Sequence, residues 1–237
     1  MTAVRVPLLR RSRRRDVPEI PARADVLALC SVLLGYPDDD LYALADDLAA
    51  SVRDLPASEP AEHLRAFWES FAAQTPAEAR AAYVEAFDLR RSSALYLSYY
   101  LHGDTRRRGA ALLAIKQRYR ACGFTPPEDE LPDHLPLVLE FAAYAGTALG
   151  EGVLRSHRAG IELIRRALAD RRSPYARVLD ALDALLGPAP AASHAAVDAF
   201  TLAGAPTDTV GAEITLAPYG PGWSTDDAAC PTPSGGR

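Results

Sequence analysis

The segment YLHGDTRRRG, residues 100–109, places a helix end next to a helix start. Gly103 follows an apolar run and is suited to the left-handed backbone that ends a helix. Asp104 can cap the next helix by accepting a backbone N–H, which puts three arginines into the first turn of that helix. These arginines are Arg106, Arg107 and Arg108.

The three arginines need electrostatic compensation. The helix macrodipole disfavours exposed cations in a first turn by about 0.3–1 kcal/mol each. We therefore expect acidic groups opposite them, either Glu85 or Asp88 on a preceding helix or those of an acidic partner molecule. The alternative is that the run is a solvated helix end paired with neighbouring acids, without a dedicated binding role.

Helical periodicity extends from this corner in both directions. In SSALYLSYYLHG (92–103), Tyr96, Tyr99 and Tyr100 form an i, i+3, i+4 stripe, which predicts a central helix. An aromatic stripe of this kind is typical of a core, and a binding groove is the alternative. Asp133 is a predicted helix cap, with Pro136 in the first turn that follows it. The predicted helices are 24–34, 38–54, 61–73, one starting at Pro76, 92–103, 106–123, 133–146, 152–169 and 174–186.

This pattern predicts an all-α fold: a single-domain helical bundle over residues 24–187. Residues 1–23 carry seven arginines against two acids and are predicted to be a basic disordered arm. Residues 188–237 are rich in Pro and Gly and are predicted to be a mostly disordered acidic tail. The whole chain has a net charge of −5, so the part after the basic arm is strongly acidic. Such a body favours a cationic partner over nucleic acid.

Motifs of reactive or membrane-spanning sites are absent from the sequence. No stretch reaches the roughly 18 apolar residues of a membrane span, and the region after the basic arm does not resemble an export signal. The three cysteines are widely spaced, which argues against disulfides and a cysteine metal site. Glu151 and His157 have the wrong spacing for a helical metal motif. We expect no catalytic residues, no metal and no cofactor.

Three blocks of the sequence resemble the NarJ family, the assembly chaperones of respiratory nitrate reductase within the TorD-like group. The blocks are YVEAFDLRRSSALYLSYYLHGDTRRRG (83–109), ALLAIKQRYRACGF (111–124) and ELPDHLPLVLEFAA (130–143). The resemblance implies an all-helical, cytoplasmic protein without enzymatic activity. It implies binding of the N-terminal region of the apo nitrate reductase α subunit while iron–sulfur and molybdenum cofactors are inserted. The chaperone is then absent from the enzyme that docks at the membrane.

The resemblance also suggests where a client protein binds. In the TorD-like group a P-x-D-H block falls on Pro132, Asp133 and His134, for which we expect a structural or peptide-recognition role. For His102 and His134, a hydrogen bond to a backbone carbonyl at a helix end is the alternative. The full set of expected client-binding residues is Tyr96, Tyr99, Tyr100, His102, Asp104, Arg106, Arg107, Arg108, Asp133 and His134.

Other functions stay open at this point. The resemblance allows a maturation chaperone for another molybdoenzyme, and contact with molybdenum cofactor delivery proteins. A nucleotide-binding or nucleotide-hydrolysing protein is a second class, although no glycine-rich phosphate loop is present. Nucleic-acid binding through RRSRRR (10–15) is a third class. We expect no nucleic-acid partner and no direct insertion into a membrane.

Overall fold

A computed structural model describes residues 19–103 and 106–190, together with Ser193, Ala195, Val197 and Asp198. The backbone of residues 147–148 is included in this description and their side chains are not. The described residues form eleven α-helices and no strand, which confirms the all-α prediction. The helices are α1 (Arg23–Leu33), α2 (Asp39–Ala43), α3 (Ala45–Asp54), α4 (Glu59–Ala72), α5 (Pro76–Tyr83), α6 (Tyr99–His102), α7 (Arg106–Ala121), α8 (Leu135–Leu149), α9 (Glu151–Ser156), α10 (Arg158–Asp170) and α11 (Ala176–Leu186).

The core lies mainly between α1, α4, α8, α10 and α11. Helix α1 packs mainly against α8 and also against α11, while α4 and α10 both pack against α11. Apolar stripes at helical spacing supply the buried side chains, among them Leu27, Phe67, Phe141 and Ile161, each at most 2% exposed. Helix α7 is different, since only Ile115 and Tyr119 of its 16 residues are buried.

Local sequence signals set several helix ends. The Thr75 side chain accepts from the Glu78 N–H while the Glu78 carboxylate accepts from the Thr75 N–H, a capping box in front of α5. Asp38 caps α2 by accepting from the Leu41 N–H at 2.9 Å. Gly103 has the positive φ, 54°, that was predicted for the end of α6.

The predicted helix at 92–103 is wrong over most of its length. The chain forms a 3₁₀ turn at Arg91–Ser93, an isolated bridge at Tyr96 and a turn at 97–98 before the short α6. Serine side chains there bond to groups outside the segment: the Ser93 hydroxyl donates to the Ala86 carbonyl at 2.5 Å and the Ser98 hydroxyl donates to Asp133. These contacts satisfy polar groups without helix formation.

Three other helix predictions need correction. Asp133 does not cap α8, because the N-cap residue is His134 and no side chain bonds the helix end. The predicted helix at 38–54 is divided at Leu44 into α2 and α3. The predicted helix at 152–169 is divided at His157, whose Nδ1 lies 2.9 Å from the Val153 carbonyl oxygen and so competes for a helical acceptor.

Most of the predicted basic arm and acidic tail lies outside the described residues, so the division of the chain at 23/24 and 187/188 stays a prediction. Within the described residues, no helix combines the length and the apolar character that crossing a bilayer requires.

Candidate functional site

The structure brings the backbones of the first and third sequence blocks into direct contact. Leu95 to Ser98 runs beside Pro132 to Leu135, and we call this pair of segments the clasp. The Leu97 N–H donates to the Asp133 carbonyl at 3.1 Å, and the Leu135 N–H donates to the Leu95 carbonyl at 2.7 Å. Tyr96 and His134 lie opposite each other as an antiparallel bridge. The clasp thus joins segments about 38 residues apart without a tight turn between them.

A buried carboxylate holds the clasp together. Asp133 is fully buried, and its Oδ2 accepts from the Ser98 N–H at 3.0 Å and from the Ser98 hydroxyl at 2.6 Å. Arg108 of α7 reaches the same place: its Nε donates to the Ser98 hydroxyl oxygen at 3.2 Å, and its Nη2 lies 3.9 Å from Asp133 Oδ2. The hydroxyl of Tyr119, also on α7, donates to the Pro132 carbonyl at 2.7 Å. Asp133 is therefore a support inside the fold and not a surface group.

The outer side of the clasp carries an aromatic pair and an acid, which together we call the Tyr96 surface: Tyr96, Glu130 and His134. The Tyr96 and His134 rings are 5.3 Å apart between centroids and both side chains are half-buried. His134 Nδ1 lies 3.3 Å from Glu130 Oε2. Burial raises the pKa of Tyr96, and the charge of Glu130 and a hydrogen bond to it add to that effect. The Tyr96 phenol therefore stays protonated and donates to the Glu130 carboxylate.

His134 is uncharged at neutral pH. Burial lowers its pKa and outweighs the opposite effect of Glu130 and Asp133. The carboxylate of Glu130 therefore keeps an uncompensated negative charge, and its side chain is 31% exposed. Leu131 beside it is 41% exposed. Together with Leu131, this surface offers a partner a pair of tilted aromatic rings, one apolar side chain and one anion.

The other predicted tyrosines serve the interior. Tyr99 and Tyr100 are 8% and 6% exposed, and the Tyr100 hydroxyl donates to the Ala94 carbonyl at 2.8 Å. His102 is half-buried at the last position of α6. Asp104 lies outside the described residues, so its predicted capping role is not addressed by the structure. Of the aromatic stripe, only Tyr96 reaches the surface of the clasp to a substantial extent.

The three arginines separate into two groups. Arg108 turns into the clasp, whereas Arg106 and Arg107 are exposed on α7. The expectation that Glu85 faces this run is wrong, because Glu85 pairs with Arg90 at 2.8 Å. In the described part of the chain, Asp88 forms no ion pair with any of the three arginines either. Among the described residues, Asp133 faces Arg108, although its position before a helix predicted a helix cap.

His157 is a buried histidine behind the clasp. Its pKa is lowered mainly by burial, with smaller contributions in the same direction from His102 and Arg118. The hydrogen bond at Val153 and the charge of Asp133 act in the opposite direction and do not cancel it. His157 is therefore neutral in the folded protein at neutral pH.

A pH-dependent stability follows from His157. In the unfolded chain it takes up a proton as the pH falls below about 6.5, while the folded state resists that proton. We expect the free energy of unfolding to decrease from pH 7 towards the lowered folded pKa. His157→Asn, which keeps a donor near the Val153 carbonyl, should flatten this profile in urea denaturation. His134 contributes in the same direction, so some slope remains. A variant profile parallel to that of the unmodified protein would contradict the assignment.

The described residues contain no metal-binding cluster, and the Cys30 thiol among them is unreactive. No group of three His, Cys, Asp or Glu side chains there is arranged to hold a metal ion. Glu151 instead binds Arg23 through two hydrogen bonds of 2.5 and 2.9 Å, and Arg155 at 2.7 Å. Burial raises the pKa of the Cys30 thiol to about 12, which makes it unreactive at neutral pH.

Sequence reasoning missed three residues of this site: Ser98, Glu130 and Tyr119. Ser98 lies in a segment that was predicted to be helical, and nothing in the local sequence indicates the partner of its side chain. Glu130 stands four residues before His134, but only the turn at 130–134 places the two side chains together. Tyr119 lies within the predicted helix at 106–123, and its hydroxyl contact with Pro132 is visible only in three dimensions.

Comparison with known proteins gives consistent matches. A family model described as nitrate reductase delta subunit matches residues 53–180. The chain is 35% identical over 156 residues to the probable nitrate reductase molybdenum cofactor assembly chaperone NarJ of Bacillus subtilis, covering 66% of this chain and 85% of that protein. It is 33% identical over 159 residues to NarJ of Escherichia coli, covering 66% and 67%. It is also 40% identical over 168 residues to the nitrate reductase-like protein NarX of Mycobacterium tuberculosis, of which it spans a quarter.

Proposed function

Because the chain belongs to the nitrate reductase delta subunit family, which includes the NarJ assembly chaperones, we propose that it is a maturation chaperone of nitrate reductase. It binds the N-terminal region of the apo α subunit and supports iron–sulfur and molybdenum cofactor insertion. It leaves the complex before the enzyme docks at the membrane, works in the cytoplasm and catalyses no reaction. The match to relatives named as assembly chaperones is the observation that carries this proposal.

The Tyr96 surface is the proposed contact for the N-terminal segment of the client. Two aromatic rings in contact, tilted by 34°, beside an exposed leucine suit an apolar side chain of a peptide. Glu130 suits an arginine or lysine of the same peptide, since a charge-assisted hydrogen bond to a carboxylate is stronger than a neutral one. Tyr99, Tyr100 and Asp133 act in this proposal as the support that positions the surface, and Tyr96 and His134 as contacts.

The expected affinity is moderate. A peptide burying roughly 400 Å² of apolar surface gains ~10 kcal/mol at ~25 cal/mol/Å². Association and ordering of the peptide remove at least ~4 kcal/mol of this gain. Affinity near the micromolar range follows, which holds an immature subunit and still permits its release.

Calorimetric titration with the N-terminal peptide of the cognate α subunit tests the function. We expect saturable binding of that peptide and none of a scrambled peptide of equal composition. Equal responses to the two peptides would contradict the proposal. In cells that lack this gene, we expect the nitrate reductase to lack its molybdenum cofactor, and normal cofactor content would contradict the proposal as well.

Glu130→Gln tests the placement of the peptide. The amide keeps an acceptor for the Leu131 N–H, which Glu130 Oε1 now satisfies at 2.7 Å, but it removes the negative charge. We expect the dissociation constant of a basic peptide to rise about fivefold to tenfold at low salt. Glu69→Gln, at an exposed position of α4, is the matched control and should leave the constant unchanged. Equal affinities of the two variants for the peptide would show that the peptide does not bind at Glu130.

A further inference from the structure

Helix α7 has a charge opposite to that of the chain as a whole. Its sequence RRRGAALLAIKQRYRA contains six cationic residues and no acidic one. The chain itself has a net charge of −5. Such a concentration of one sign on one helix creates a local positive field in a protein whose average field is negative.

Four of the six cations of α7 are not neutralised within the described residues. Arg108 is used by the clasp, and Arg118 lies against α9, where a Cβ at Gly152 would come within 2.5 Å of its Nη1. For the four others, no carboxylate of the described residues lies within ion-pair distance. These are Arg106, Arg107, Lys116 and Arg120, all exposed.

The side of α7 turned away from Ile115 and Tyr119 is flat and weakly apolar. Ala110, Leu113, Ala114 and Gln117 follow i, i+3, i+4, i+7 spacing, all are exposed, and Leu113 is 54% exposed. At 100° per residue, Arg107 and Lys116 fall on the two opposite edges of this stripe. We call this side the outer face of α7.

We infer that the outer face of α7 docks an acidic amphipathic helix of another protein. The alanines allow two helix axes to approach closely, and Leu113 supplies one apolar knob at the centre. Cations on both edges would pair with acidic residues on both edges of the docked helix, which is how charged edges select a partner in helix pairs. An anionic membrane fits less well, because membrane-surface helices carry large apolar side chains on the inserted face and this face has one leucine among alanines.

This site goes beyond the proposed binding of the client N-terminus. That segment is expected to be basic and to bind the acidic Tyr96 surface, whereas the outer face of α7 selects an acidic helix. The chain then has two docking surfaces of opposite charge preference. Titrations with a basic peptide and with an acidic peptide test the two surfaces separately. A negative result for one peptide therefore leaves the proposal for the other surface unaffected.

The test uses the full chain and a labelled synthetic helix of about 20 residues, with a leucine–alanine stripe and glutamates on both edges. Fluorescence anisotropy should show saturable binding that weakens as salt is raised. Arg107→Glu combined with Lys116→Glu should weaken binding by at least about tenfold. Leu113→Gln should weaken it about threefold to fivefold, because the central apolar contact is lost.

Arg53→Glu combined with Arg177→Glu is the matched control, since it changes net charge equally at exposed positions of α3 and α11. It should alter the dissociation constant by less than about twofold. Circular dichroism and thermal melting verify that each variant folds. The salt titration of the unmodified chain tests the inference independently of the variants. Three results would overturn the inference: equal binding of a scrambled peptide of the same composition, equal loss in the control pair, or binding to anionic phosphatidylglycerol vesicles without binding to the helix.

Discussion

Replacement of Asp133 by alanine is expected to lower the free energy of unfolding by about 3 kcal/mol. The carboxylate accepts two hydrogen bonds from Ser98 and faces Arg108, and all of these contacts lie in the interior. Without it, the Ser98 N–H and hydroxyl lose this acceptor and the half-buried Arg108 guanidinium loses a nearby negative charge. Urea denaturation monitored by circular dichroism measures the loss.

Two control variants distinguish the effect of the Asp133 carboxylate from that of other changes in the same loop. Asp133→Asn keeps one acceptor oxygen and should cost only about 1 kcal/mol, because Oδ1 is buried with no hydrogen-bond partner among the described residues. Asp129→Ala, at an exposed position of the same loop, should change stability by less than about 0.5 kcal/mol. An alanine variant at Asp133 as stable as the unmodified protein would show that the backbone bonds of the clasp suffice without the carboxylate.

Replacement of Glu151 by alanine is expected to have a similar or larger effect, about 3–5 kcal/mol. Glu151 is fully buried at the start of α9 and accepts hydrogen bonds from Arg23 of α1 and Arg155 of α9. Its removal takes a carboxylate partner and two hydrogen bonds from Arg23, whose side chain is 13% exposed. Thermal unfolding of the variant beside Glu69→Ala, an exposed glutamate of α4, measures the difference. Equal melting temperatures would show that the arginines find other partners.

Glu151 also predicts a loss of stability in acid. Burial alone would raise its pKa, but the hydrogen bonds and charges of Arg23 and Arg155 outweigh burial and hold the pKa below the usual 4.5. The unfolded chain therefore binds a proton at Glu151 before the folded protein does. The stabilisation is complete above about pH 4.5 and is lost as the pH falls through the lowered folded value. Glu151→Gln should remove this part of the acid dependence.

Most of the bundle could be predicted from helical periodicity. The apolar stripes of α4, α10 and α11 recur every three to four residues and are buried as expected, for example Leu64, Ile161 and Leu182. Periodicity failed at 92–98 because the tyrosine spacing imitates a helix, while the serines bond to distant acceptors. Since that choice depends on contacts across about 35 residues, no local pattern could reveal it.

The candidate site could be predicted by residue type but not by role. Asp133 and Arg108 were both expected to bind the client, yet no sequence pattern indicated that the two side chains face each other. An aspartate before a helix is most often a cap. Here the Asp133 carboxylate accepts from Ser98 instead and does not bond the end of α8. Arg106 and Arg107 are exposed, whereas Arg108 contacts the clasp.

Helix α7 is pinned to the clasp at two points. Arg108 near its start and Tyr119 near its end both bond there, about 16 Å apart along the axis. A slide of α7 by one turn, about 5.4 Å, would break both pins at once. A partner that displaces this helix would therefore strain its contacts with Ser98 and Pro132 together. Both contacts would be lost in one cooperative step.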